Sequence, residues 1–148
     1  MYKFWQKNQS AFSLTEMVLV VAIIAILLGI FMPAFSRLFF RNNLDSAKEA
    51  IKTELYRAQA SARASENDSN WGIYLNNGNL ILFSGSSYAT RNSNYDFLEK
   101  LAGNPNFSGL TEVVFNKSSG LPSTSGTIII SDAGLSKEIV ISPSGLIN

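Results

Sequence analysis

The sequence predicts an α+β fold: one long N-terminal helix packed on a small, mostly antiparallel β-sheet. Three observations predict it. Between Phe12 and Phe35 the chain reads FSLTEMVLVVAIIAILLGIFMPAF, with Glu16 as its single charge. From Leu44 to Ala62 apolar residues recur at helical spacing on one side only. Beyond Trp71 the pattern changes to short apolar runs broken by Asn, Gly, Ser and Pro, which is the signature of strands joined by turns.

The uncharged run Met17–Phe35, built as a helix at about 1.5 Å per residue, reaches about 29 Å, close to the hydrocarbon thickness of a bilayer. Met1–Ala11 (MYKFWQKNQSA) holds Lys3 and Lys7 and no acid, which directs the N-terminus to the cytoplasm. Arg37 and Arg41 follow the run, so the asymmetry is modest. A secretory signal places its small-residue cleavage site after the apolar core. Here the small residue, Ala11, comes before it, and a cut there leaves the apolar helix on the mature chain.

Ala11-Phe12-Ser13-Leu14-Thr15-Glu16 and the apolar run to Leu28 resemble the signal of type IV pilins and type II secretion pseudopilins. The resemblance implies cleavage by a prepilin peptidase between Ala11 and Phe12, N-methylation of Phe12, and a subunit-assembly role for Glu16, the fifth mature residue. It also implies a helix-loosening site at Pro33, with Gly29 one turn earlier. The family commonly has Gly where this chain has Ala11. The implied partners are the peptidase, other pilin or pseudopilin subunits, an inner-membrane assembly platform and the lipid bilayer. The implied life history is a single-pass inner-membrane protein, its C-terminal domain outside the cytoplasm, that is later drawn into a filament.

Two of these residues carry a second reading. Ser13-Leu14-Thr15-Glu16 has the capping-box pattern, in which Ser13 and Glu16 satisfy backbone donors at a helix start. Pro33 is also an ordinary membrane-helix kink, since it removes one helical hydrogen bond and Gly29 weakens the same turn.

The stripe Leu44, Ala47, Ile51, Leu55, Ala58 and Ala62 has Lys48, Glu49, Lys52, Arg57 and Arg63 off it. Core packing is its expected use, with a coiled-coil seam as the weaker alternative. Ser65–Asn70 ends the helix. Trp71–Leu75 and Leu80–Phe83 flank Asn77-Gly78, a strong hairpin signal. Ser84–Asn94 reads as a loop and Tyr95–Leu101 as a short helical turn. Thr111–Phe115, Thr127–Ser131 and Glu138–Ser142 read as strands, for about five in all. The expected divisions are leader 1–11, apolar helix 12–35, amphipathic helix 36–65 and β-rich domain 66–148.

The order of elements also resembles the minor pseudopilins of the general secretion pathway protein H type and the FimT-like minor pilins. The matching positions are Ala58, Ala62, Trp71-Gly72, Phe115 with Gly120, and Ile139–Gly145.

Composition narrows the function classes. The 148-residue chain has no cysteine and no histidine, which excludes disulfides, a cysteine nucleophile, a histidine base and a Cys/His zinc site. Its serines lie in turn contexts, with no G-x-S-x-G motif, so a structural subunit and not an enzyme is expected. No cofactor and no metal is expected; Asp68, Asp96 and Asp132 lack calcium-loop spacing. The net charge is +1, and losing Lys3 and Lys7 turns it to −1. The tail Ile141–Asn148 has no basic residue, which argues against nucleic acid as a partner and against the alternative of a DNA-capturing minor pilin. A major pilin forming the filament shaft is the other alternative.

Overall fold

The computed structural model describes residues 12–148, without the side chains of 30–34 and 36. By its internal contacts the chain divides into two compact units, Met1–Arg37 and Leu38–Asn148. The leader expected at 1–11 lies outside the described residues.

Helix α1 is assigned over Leu14–Arg63. Within the second unit its apolar stripe is the spine of the core: Leu44, Ala47, Ile51, Leu55, Ala58 and Ala62 are all at most 1% exposed. Burying a Leu or Ile at such positions contributes about 1.5–3 kcal/mol each. The stripe is therefore used within the chain rather than as a coiled-coil seam. Three consecutive-turn devices end the helix: Ser65, Asn67 and Asp68 take positive φ, a 3-10 turn follows at Glu66–Asp68, and the Ala62 carbonyl accepts from both Ser65 N at 3.0 Å and Ser118 N at 2.8 Å.

Seven strands follow, not five, and they form two sheets, not one. They are β1 (Trp71–Asn76), β2 (Asn79–Ser84), β3 (Asn92–Lys100), β4 (Asn106–Gly109), β5 (Glu112–Phe115), β6 (Gly126–Asp132) and β7 (Leu135–Ile141). The first sheet has order β3-β2-β1-β5 and the second β4-β6-β7; every pairing is antiparallel. One hydrophobic cluster joins the α1 stripe to Ile73, Leu75, Leu80 and Leu82 of the first sheet and to Ile128, Ile130, Ile139 and Ile141 of the second. Alternate residues of β6 and β7 point inward, as the period of two requires.

The β1–β2 turn is the two-residue hairpin expected at Asn77-Gly78, with φ of 46° and 71°. The β6–β7 turn has the same geometry at Ala133-Gly134, with φ of 46° and 78°. The helical turn expected at Tyr95–Leu101 is instead part of β3. This strand is an edge, exposed along nearly its whole length, so its sequence lacks clean alternation. Pairing with β2 decides its conformation, not local propensity. Strand β4 is only four residues long and borrows its order from β6. Of the loop expected at 84–94, Gly85–Arg91 remains outside the strands, with a 3-10 turn at Tyr88–Thr90.

That segment lies on the outer face of the first sheet. Tyr88 stacks on Tyr74 with ring centroids 4.0 Å apart and meets Phe83 edge-on at 5.8 Å. The Arg91 guanidinium sits 3.7 Å from the Tyr88 ring centre and is held by Asp96 at 2.8 Å. Phe83 fits there because Gly72 has no side chain: a Cβ on it would come within 2.5 Å of the Val113 carbonyl oxygen and 3.0 Å of the Phe83 ring.

Candidate functional site

The candidate site lies on the first unit, at the start of α1. Phe12 precedes the helix and Ser13 opens it: the Ser13 carbonyl accepts from Glu16 N at 3.0 Å and Met17 N at 3.1 Å. The Ser13 hydroxyl pairs with the Thr15 hydroxyl, not with the Glu16 backbone. The reciprocal side-chain bonds of a capping box are thus not formed. Glu16 is exposed, and among the described residues its carboxylate has neither an ion-pair nor a hydrogen-bond partner.

Around this carboxylate the surface is apolar. Phe12 is 75% exposed and Leu14 82%. Met17, Val18, Leu19, Val20, Val21, Ile23 and Ile24 are also exposed, so side chains of every heading face outward. Phe12, Leu14, Met17, Val18 and Val21 lie side by side in this surface. An exposed apolar surface of this kind is expected to be covered by lipid or by another apolar helix. It offers no chemistry beyond one unpaired acid.

The other residues singled out in the sequence are placed as follows. Ala11 lies outside the described residues. Gly29 is within α1, and nothing lies within 4 Å of where its Cβ would stand. The helix assignment continues through position 33, and the Pro33 side chain is outside the described residues. Among the described residues no helix is long and apolar enough to cross a membrane. Of the span expected at 12–35, side chains are described for 12–29 and for Phe35. Among the described residues no group of three or more acidic side chains is placed to hold a metal ion.

The buried polar ties of the second unit were not visible in the sequence pattern. Gln59 is buried beside Ala58, and its Nε2 donates to the carbonyls of Gly120 at 3.1 Å and Gly145 at 2.9 Å. Tyr56 donates its hydroxyl to the Ile147 carbonyl at 3.0 Å. Glu54 is also buried; burial pushes its carboxyl above the usual range, opposed by Arg57 and reinforced by Glu99. Asp45 is held below the usual range by its bond from Lys137, and Asp68 by its bond from Lys117. The signal for Gln59 and Glu54 would have been the faces next to the stripe, which a six-position apolar pattern does not reach.

No curated protein and no solved structure matches the chain. Residues 6–32 match the family model of the prokaryotic N-terminal methylation motif. The segment that holds Ala11, Phe12 and Glu16 is therefore a type IV pilin-like signal, the kind processed by prepilin peptidase.

Proposed function

We propose that this protein is a structural subunit, a minor pilin or minor pseudopilin, of a type IV pilus or a type II secretion pseudopilus. The observation that carries the reading is Glu16: a carboxylate without a partner among the described residues, on an exposed apolar helix, four residues after Phe12 and inside the matched motif. Such an acid is costly in lipid without a partner. A prepilin peptidase removes Met1–Ala11, and the new amine of Phe12 is methylated. The apolar helix anchors the subunit in the inner membrane with its β-rich domain outside the cytoplasm. On the assembly platform, the Phe12 amine of one subunit pairs with Glu16 of its neighbour and sets the axial register. At about 4 Å and an effective dielectric of about 20, that pairing is worth about 4 kcal/mol before desolvation. Gly29 and Pro33 lower the cost of loosening the helix as it leaves lipid. The order of strands after α1 supports a subunit of the H or FimT-like kind.

The test is mass spectrometry of the protein from its host membranes, together with filament incorporation of Glu16→Ala. The expected results are an N-terminus at methylated Phe12, and normal membrane insertion of the variant with poor incorporation. Retention of Met1 in a host with active peptidase, or unchanged incorporation of Glu16→Ala, refutes the reading.

A further inference from the structure

We infer that the outer edge of β3 is an interface at which two copies of this chain join as antiparallel strands, with a two-fold axis at Leu98. Strand β3 is the longest of the strands and the outermost of the first sheet. The other edges are short or closed. Strand β5 has four residues, and the chain after it folds back along it: Asn116 N donates to the Leu121 carbonyl and Ser123 N to the Val114 carbonyl, each at 2.8 Å. The end of β7 is tied to the tail, Val140 N and the Val140 carbonyl both bonding to Asn148. Strand β4 has only four residues. Among the described residues no backbone group closes the outer edge of β3, and the strand contains no proline. A long bare edge of this kind is a template for another strand.

The register decides which groups of β3 are free. The two-residue turn makes Asn76 and Asn79 the closing hydrogen-bonded pair of the β1–β2 hairpin, so Asn79 and Ile81 bond to β1 while Leu80 and Leu82 turn to β3. Glu99 and Phe97 stand opposite these two and bond back to β2. Leu101 N, donating to the Gly78 carbonyl at 2.9 Å, keeps the same alternation. The N–H and C=O groups of Asp96, Leu98 and Lys100 therefore point outward from the edge. Their side chains share one face of the strand: an acid, a leucine 63% exposed, and an exposed base with no ion-pair partner among the described residues. Laid antiparallel with Leu98 opposite its copy, this edge is complementary to itself. Asp96 then faces Lys100 of the second copy and Lys100 faces its Asp96, each a hydrogen-bonded pair. Asp96 already holds Arg91 at 2.8 Å, so the pairing forms a charge network. On the opposite face Phe97 meets the second copy's Glu99, and the Arg57 guanidinium, 5.1 Å from the Phe97 ring centre, stands beside that acid. Other registers do worse. With Asp96, Glu99 or Lys100 on the axis a like charge meets its copy, and with Phe97 there no opposite charges pair. That self-complementarity selects a second copy of this chain as the occupant.

The experiment combines sedimentation and thiol cross-linking of the full chain in zwitterionic detergent. The parent is expected to dimerise with a dissociation constant of about 10–100 µM, as suits a short ladder. Leu98→Lys sets two like charges on the axis and should weaken the dimer about tenfold or more, with an unchanged melting temperature because the side chain is exposed; Leu98→Val should not. The chain has no cysteine, so an added thiol is the only one. Leu98→Cys should link to its copy on mild oxidation, since hydrogen-bonded antiparallel partners have Cα atoms about 5.5 Å apart, within disulfide reach. Asn94→Cys should not, since eight residues of offset at about 3.3 Å each hold its copies about 26 Å apart. Glu16→Ala should dimerise like the parent, which separates this interface from the filament contact. The proposal is overturned if the parent sediments as a monomer at about 200 µM. It is also overturned if the dimer survives Leu98→Lys, as a dimer made through the apolar helix would, or if Asn94→Cys links as fast as Leu98→Cys.

Discussion

Gln59→Met keeps the volume of a buried side chain but removes its amide, and so isolates what that amide does. In the native chain Nε2 donates to the carbonyls of Gly120 and Gly145, and neither carbonyl accepts another hydrogen bond among the described residues. These carbonyls belong to the loops that close the end of the second unit, around Lys117–Ser125 and Ser142–Leu146. An orphaned buried acceptor costs about 1–3 kcal/mol, so losing the donor to two of them, with some relaxation, costs about 2–4 kcal/mol. At about 4 °C per kcal/mol for a unit of this size, the melting temperature falls by about 8–16 °C. The assay is chemical and thermal unfolding of the full chain, with amide hydrogen exchange at Gly120, Leu121, Gly145 and Leu146 as the local readout. Exchange at these amides should accelerate more than at the β1–β2 ladder. Stability within about 0.5 kcal/mol of the parent, with unchanged exchange, refutes the reasoning, because water would then serve the carbonyls as well as Gln59 does.

Three further outcomes follow from the same structure. Glu54 has a folded-state carboxyl raised chiefly by burial, so its contribution to stability is present at acid pH and is lost as pH rises through the folded value; Glu54→Gln should therefore gain on the parent as pH rises above the usual Glu range, and parallel pH–stability profiles contradict this. Ala133 holds a left-handed conformation in the β6–β7 turn, where Asn is better tolerated; Ala133→Asn should stabilise by about 0.5–1 kcal/mol in denaturant titration, and a loss would show that the turn is not of the expected type. Lys117, Lys137 and Arg91 each sit on a carboxylate, Asp68, Asp45 and Asp96, so the full chain should show no salt-sensitive DNA gel shift near physiological salt; a shift that fades with added salt would overturn that.

The helix, its buried stripe and the hairpin at Asn77-Gly78 were legible because each is a local pattern: a period of about 3.6, or a residue pair that accepts positive φ. So was the N-terminal signal, since Phe12, Glu16 and the apolar run are contiguous. Strands β3 and β4 were not legible. One is an exposed edge and the other four residues long, and each takes its conformation from a partner distant in sequence.

The amino-acid sequence alone determined that a charge-poor helix leads the chain, that a second helical stretch presents one apolar side, and that Glu16 stands by itself in an oily surface. Short-range periodicity carries that information. Only the tertiary structure decided that the strands divide into two sheets around one helix, that Gln59 bridges two loops, and that β3 lies at a bare sheet edge. Those depend on pairings and hydrogen bonds between residues far apart in the chain, which no local pattern records.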